Sequence, residues 1–141
     1  MADIPQQPVA ASRPLSPHLT VYRWPVTMMT SILHRATGMA LTGGAVILAW
    51  WLVAISNGLE GGYQIFMALA SSPLGMLVLF GATWSLAYHF FNGLRHLAWD
   101  LGYGFDRKLA ERNSVIIFAL SFASAIAIFA IVWTGHGGYL Q

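Results

Sequence analysis

Ala87-Tyr88-His89-Phe90-Phe91-Asn92-Gly93-Leu94-Arg95-His96-Leu97-Ala98-Trp99-Asp100 is the stretch on which the reading of this chain turns. It sets His89 within an apolar run long enough to cross a bilayer, with His96 two helical turns further on. An ionisable side chain at membrane depth is costly and is retained where it has a function. A neutral imidazole nitrogen is a good ligand for haem iron. Two histidines seven residues apart on one apolar helix therefore suggest a redox cofactor site.

Composition agrees with a membrane location. Of 141 residues, 57% are apolar and 9% charged, whereas a soluble domain carries about 25% charged residues. The chain is too short for two domains. It has no cysteine, so it can neither hold an iron–sulfur cluster nor attach a haem through thiolates.

Working outward, three apolar segments stand out, 36–55, 74–94 and 115–133. Each is about 20 residues, the length an α-helix needs to span the hydrocarbon core. The fold expected is an all-α membrane protein, one anchor domain over residues 1–141. Its helices run over about 25–55, 74–99 and 114–134, after a lead-in at 1–24. Pro25 fits the first turn of the first helix. Asn57, Gly58, Gly61 and Gly62 end it, Ser71, Ser72 and Pro73 open the second, and Gly102 and Gly104 break the second. Residues 106–113 read as a charged loop.

The seven basic residues fall on one side. Arg13, Arg23 and Arg35 precede the first span, and Arg95, Arg107, Lys108 and Arg112 lie between the second and third. The positive-inside rule then puts the N-terminus and the second loop in the cytoplasm and the C-terminus outside. Trp24, Trp51, Trp99 and Trp133 sit near span ends, as an aromatic belt requires. The start of the chain has neither a signal-peptide h-region nor an arginine-rich presequence, which favours a bacterial inner membrane over a mitochondrial one.

On a helix, His89, Asn92, Gly93 and His96 share a face, one turn after Ser85. The histidines lie roughly 10 Å apart along the axis and cannot bind one iron together. A division of labour suits them. His89 ligates iron, while His96 and Arg95 at the cytoplasmic edge meet the haem propionates. Gly93 lets a flat macrocycle approach the backbone. The plainer alternative is that His89 bonds a serine or carbonyl on a neighbouring helix. His34 sits level with His96 rather than His89, better placed for a propionate than for iron. A second axial ligand then comes from another polypeptide, unless the first helix runs deep enough for a His34–His89 pair.

Thr27, Ser31 and Arg35 form a polar stripe at the cytoplasmic mouth of the first helix. A hydroxyl and a guanidinium one turn apart can stabilise charge on a quinone carbonyl. Equally, Arg35 is a snorkelling topology anchor and Ser31 bonds to its own helix. The ridges Ala36-Ala40-Gly44 and Ala119-Ala123-Ala127 read as packing surfaces. Asp100 pairs with Arg95 or Arg35, or is solvated. No phosphate loop, nucleophile–base pair, catalytic carboxylate pair or nucleic-acid patch is visible, so the chemistry is electron and proton transfer, with a lipid bilayer and no nucleic acid as surroundings.

Three blocks resemble the cytochrome b556 anchor subunits of succinate dehydrogenase, respiratory complex II. They are Arg13-Pro14-Leu15-Ser16-Pro17-His18-Leu19 with Tyr22 and Pro25, Ser31-Ile32-Leu33-His34-Arg35-Ala36-Thr37-Gly38, and His89 to Gly102. The third helix matches only as a span. The resemblance implies that His89 is the axial ligand of haem b, with His34, Arg35 and His96 near the propionates. It implies Ser31 and Arg35 as ubiquinone contacts. It implies a second small anchor subunit, which supplies the other haem ligand and completes a helical bundle, and iron–sulfur and flavoprotein subunits that oxidise succinate. This chain alone has no dehydrogenase chemistry. The rival readings are a b-type cytochrome anchor of another quinone-linked oxidoreductase, a cofactor-free structural anchor, and a transporter or channel subunit with His89 as proton relay.

Overall fold

The structure, a computed structural model, describes residues 23–57 and 62–135, apart from the side chain of Trp133. The Arg13–Leu19 block, Tyr22, most of the lead-in, His18 and His136 lie outside the described residues. Most of those described are helical, in the order α1 (Val26–Ser56), α2 (Gly62–Ser71), α3 (Pro73–Asp100) and α4 (Arg107–Gly135). Three of the helices, α1, α3 and α4, are long and apolar enough to cross a membrane.

Local chemistry sets the ends. The carbonyl of Pro25 accepts from the Met28 and Met29 amides and starts α1. Ser72 alone separates α2 from α3. Its hydroxyl caps the Gly75 amide at 3.1 Å, with Pro73 in the first turn. A side chain at Gly75 could not be accommodated, because a Cβ there would overlap the Leu69 carbonyl oxygen. At the far end of α3, Tyr103 N–H bonds to Ala98 O and Gly102 N–H to Trp99 O, with Gly102 at φ +85°. That is a Schellman closure around a left-handed glycine.

Two elements differ from expectation. The Ser56–Pro73 connection contains α2, and α4 starts at Arg107, so most of the predicted 106–113 loop is helix. Asp106 is its cap, accepting from the Leu109 amide at 3.0 Å, and Arg107 pairs with Glu111 one turn on at 3.2 Å. Both interactions favour helix in a segment whose polarity suggested loop.

α3 is the hub, packed on α1, α2 and α4. Many of the side chains buried at the helix contacts are small or polar, among them Thr30, Thr37, Ser85, Asn92 and Ser121, beside an aromatic seam of Phe80, Trp84 and Tyr88 against Phe118, Phe122 and Phe129, while residues such as Met39 and Leu74 face outward. This suits a lipid surround, where apolar side chains gain little by burial and close backbone approach holds helices together. The predicted ridges are not the ones used within the chain. Ala36, Ala40, Ala119, Ala123 and Ala127 are exposed, and α4 instead buries Ala110, Ser114, Ile117, Ser121 and Ala125.

Candidate functional site

His89 projects from α3 onto α1. Its Nδ1 lies 3.2 Å from the carbonyl oxygen of His34. A carbonyl only accepts, so Nδ1 carries the proton, and in the neutral ring Nε2 keeps its lone pair. The His34 ring stacks on that of His89, centroids 4.0 Å apart and planes 15° apart. His96 follows at 5.2 Å from His34, and its own edge meets Trp99 at 5.0 Å. Gly38 makes this approach possible, since a Cβ there would come within 3.1 Å of His89 Cε1.

The three rings present faces to one another rather than lone pairs to one point. Among the described residues, no group of three or more His, Cys, Asp or Glu is arranged to hold a metal ion. Face-to-face stacking also excludes, in this arrangement, a single iron held between His34 and His89. His34 reaches both other histidines, so it lies between their levels and not at that of His96 alone. Its Nδ1 is buried without a hydrogen-bond partner. Beside Gly93 a Cβ would meet nothing within 4 Å, so space is open on that face of α3. A free Nε2, an unsatisfied imidazole nitrogen and an open face next to both α3 histidines are features a haem would use.

Ser31 is half-buried and Arg35 exposed on the flank of α1 that also carries His34. Among the described residues neither has a side-chain hydrogen bond or ion pair in the chain. Asp100 is exposed and likewise unpaired. A cavity of about 450 Å³ lies elsewhere, between α1 and α4, lined by Trp24, Met29, Leu33 and Phe118 among others. Its lining among the described residues is mostly apolar, with the hydroxyls of Thr30 and Ser114.

The whole-chain comparisons bear on what such an arrangement belongs to. Residues 10–128 match the model of the succinate dehydrogenase/fumarate reductase transmembrane subunit family. The chain belongs to that family. It is 42% identical, over 89% of its own length and 93% of the relative's, to a succinate dehydrogenase cytochrome b556 subunit of Paracoccus denitrificans. It is 35% identical to the mitochondrial cytochrome b560 subunit of Sus scrofa, over 87% of this chain and 73% of the relative. A Rickettsia prowazekii cytochrome b556 subunit is 42% identical over 73% and 79% of the two chains. This succinate dehydrogenase subunit is thus a membrane anchor of an oxidoreductase complex.

Within the anchor subunit, Arg95 is 6% exposed and points into the α1–α3–α4 junction. Its Nη1 donates to Ser114 Oγ and its Nη2 to Thr30 Oγ1 at 3.4 Å, and the guanidinium lies 4.6 Å over the Trp99 ring. The reason is helical phase. Six residues after His89, Arg95 falls about 120° round the helix from it, on a stripe with Tyr88, Asn92 and Trp99. That spacing was available in the sequence; the partners Thr30 and Ser114 on other helices were not. Gly38 closes one of the matching blocks and had no role of its own there; its contact with His89 supplies one.

Proposed function

We propose that this subunit binds haem b through His89 and ubiquinone through Ser31 and Arg35, as the membrane anchor of succinate:ubiquinone oxidoreductase. The observation that carries the reading is the His89 Nδ1–His34 carbonyl bond, which leaves Nε2 free to ligate iron. A backbone acceptor behind a ligating histidine fixes ring orientation and raises ligand basicity. The relatives' names, cytochrome b556 and cytochrome b560, support haem b as the group bound. Bound there, haem supplies a one-electron redox centre. His34, His96 and Arg35 are the residues of this chain placed to meet its propionates with charge-assisted hydrogen bonds. A second small anchor subunit would supply the other ligand to the iron.

Ubiquinone is the substrate. Its reduction takes two electrons, arriving from an iron–sulfur subunit, and two protons. Ser31 donates to a quinone carbonyl and Arg35 stabilises the negative charge that builds there. Arg35 is exposed and, among the described residues, has no ion pair, as a residue completed by neighbouring subunits would be. The flavoprotein subunit carries out succinate oxidation. We place the N-terminus and the α3–α4 turn on the cytoplasmic side of a bacterial inner membrane, following the basic residues.

The test is a reduced-minus-oxidised spectrum of the purified complex, alongside quinone kinetics. His89→Ala is expected to remove a b-type band present in the wild type. Ser31→Ala is expected to raise the KM for a short-chain ubiquinone about tenfold, the loss of one strong hydrogen bond. A wild-type complex without a b-type band would overturn the haem assignment, and an unchanged KM would overturn the quinone assignment.

A further inference from the structure

A knot of polar side chains lies directly behind Ser31. Thr30, the preceding residue, is 6% exposed, and both its carbonyl and its hydroxyl are held from across the bundle. The fully buried Tyr88 donates its phenol to Thr30 O at 3.1 Å. Arg95 donates to Thr30 Oγ1 and to Ser114 Oγ, whose oxygens lie 3.3 Å apart. Both hydroxyls also bond back to their own helices, at Thr27 O and Ala110 O. Tyr88 and Arg95 are two turns apart on one stripe of α3, and both end on the same residue of α1.

This knot is an expensive way merely to join helices. A guanidinium in the bundle core is held by hydroxyls and an indole, and among the described residues the one ion pair is Arg107–Glu111, far from it in kind and exposed. Apolar packing of the same volume is often as stable as buried charge. What the knot supplies beyond stability is direction. The carbonyl that Tyr88 grips belongs to the peptide joining Thr30 to Ser31. Fixing that peptide fixes the rotation of α1 about its axis. The rotation in turn sets where the Ser31 hydroxyl and, one turn on, the Arg35 side chain point.

We infer that Tyr88 and Arg95 are positioning residues for ubiquinone, acting through Thr30 to aim Ser31 and Arg35. This rests on the quinone reading above. Neither residue touches the quinone. Each presents α1 at the angle at which a carbonyl oxygen can be met by both donors.

The experiment uses the whole complex in native membranes, normalised to flavin content. The KM for a short-chain ubiquinone is measured beside succinate oxidation with an artificial acceptor reduced independently of the quinone site. The variants are Ser31→Ala, Tyr88→Phe, Arg95→Lys and the double variant Ser31→Ala/Tyr88→Phe. Tyr88→Phe keeps the ring and removes one hydrogen bond, so it carries the test if Arg95→Lys assembles poorly. The expected result is a KM raised about fivefold by Tyr88→Phe and about tenfold by Arg95→Lys. Artificial-acceptor activity and the b-type band stay at wild-type levels. In the Ser31→Ala background Tyr88→Phe raises KM less than it does alone, because the part of its effect that runs through Ser31 is already gone and only the part through Arg35 remains. A purely structural role would lower the amount of complex and leave KM unchanged, which overturns the inference, as would KM effects that multiply in the double variant. If Ser31→Ala itself leaves KM unchanged, the quinone reading fails and this inference falls with it. If Ser31→Ala raises KM but Tyr88→Phe and Arg95→Lys do not, the reading stands and the inference alone fails.

Discussion

His89 on α3 donates its Nδ1 proton to the backbone carbonyl of His34 on α1, while the two rings stack at 4.0 Å. Backbone and side chain of His34 therefore contribute separately. His34→Ala keeps the carbonyl that orients His89 and removes the stacked ring. We expect the His34→Ala complex to retain a b-type band but to release haem faster on dilution into detergent, whereas His89→Ala shows no band. Spectra followed over time separate the two. Loss of the band on purification of His34→Ala would show that the ring, not the carbonyl, holds the site together.

Gly38 is a gauge of how tightly His89 is seated. An alanine Cβ would stand 3.1 Å from His89 Cε1, tight enough that the ring must shift. Overpacking of this kind costs typically about 1–3 kcal/mol. Gly38→Ala should lower haem occupancy of the purified complex severalfold, and Gly38→Val should abolish it. Haem-to-flavin ratios provide the measure.

Gly93 and Gly75 are predicted to behave in opposite ways. Nothing lies within 4 Å of a Cβ at Gly93, so Gly93→Ala should leave assembly intact. Gly93→Leu should assemble and lose haem, because it fills the open face beside His89 and His96. At Gly75 the Leu69 carbonyl blocks any side chain. Gly75→Ala should destabilise the subunit by about 3 kcal/mol, at the upper end of overpacking penalties, seen as a lower Tm of the solubilised complex with unaltered spectra in the fraction that remains.

The absence of cysteine makes orientation directly measurable. With Asn57→Cys and Lys108→Cys as single sites, a membrane-impermeant maleimide added to intact cells should label only the first. In inverted vesicles it should label only the second. The reverse pattern would turn the proposed topology over.

The three spans were legible because lipid-facing helices announce themselves by length and apolarity. The rest depended on how helices meet. α2 was hidden by the glycines around it, although Tyr63, Phe66 and Ala70 repeat at helical spacing and Ser72-Pro73 is a strong start for α3. The first turns of α4 were obscured by their charge, although Asp106 with Glu111 beyond it is a helix signal. Sequence gives depth along one helix and not the angle at which α1 crosses α3, so the place of His34 between His89 and His96 is not legible in it. Nor is the separation of Arg95 from His96 legible without the helix, on which a neighbour in sequence is a quarter-turn and more away. The buried small-residue stripe of α4 was missed for a related reason: it mixes Ser and Ile with Ala, while the purer alanine stripe faces outward.

The setting of Arg95 also bears on how the chain is made. Synthesis delivers Thr30 first, then Arg95, and Ser114 last. A cation lodged in hydrocarbon without its acceptors is unfavourable by several kcal/mol, so α3 has good reason to keep this end near the water until α4 emerges and closes the junction. The last helix to be made thus completes the seat of a charge carried by the one before it.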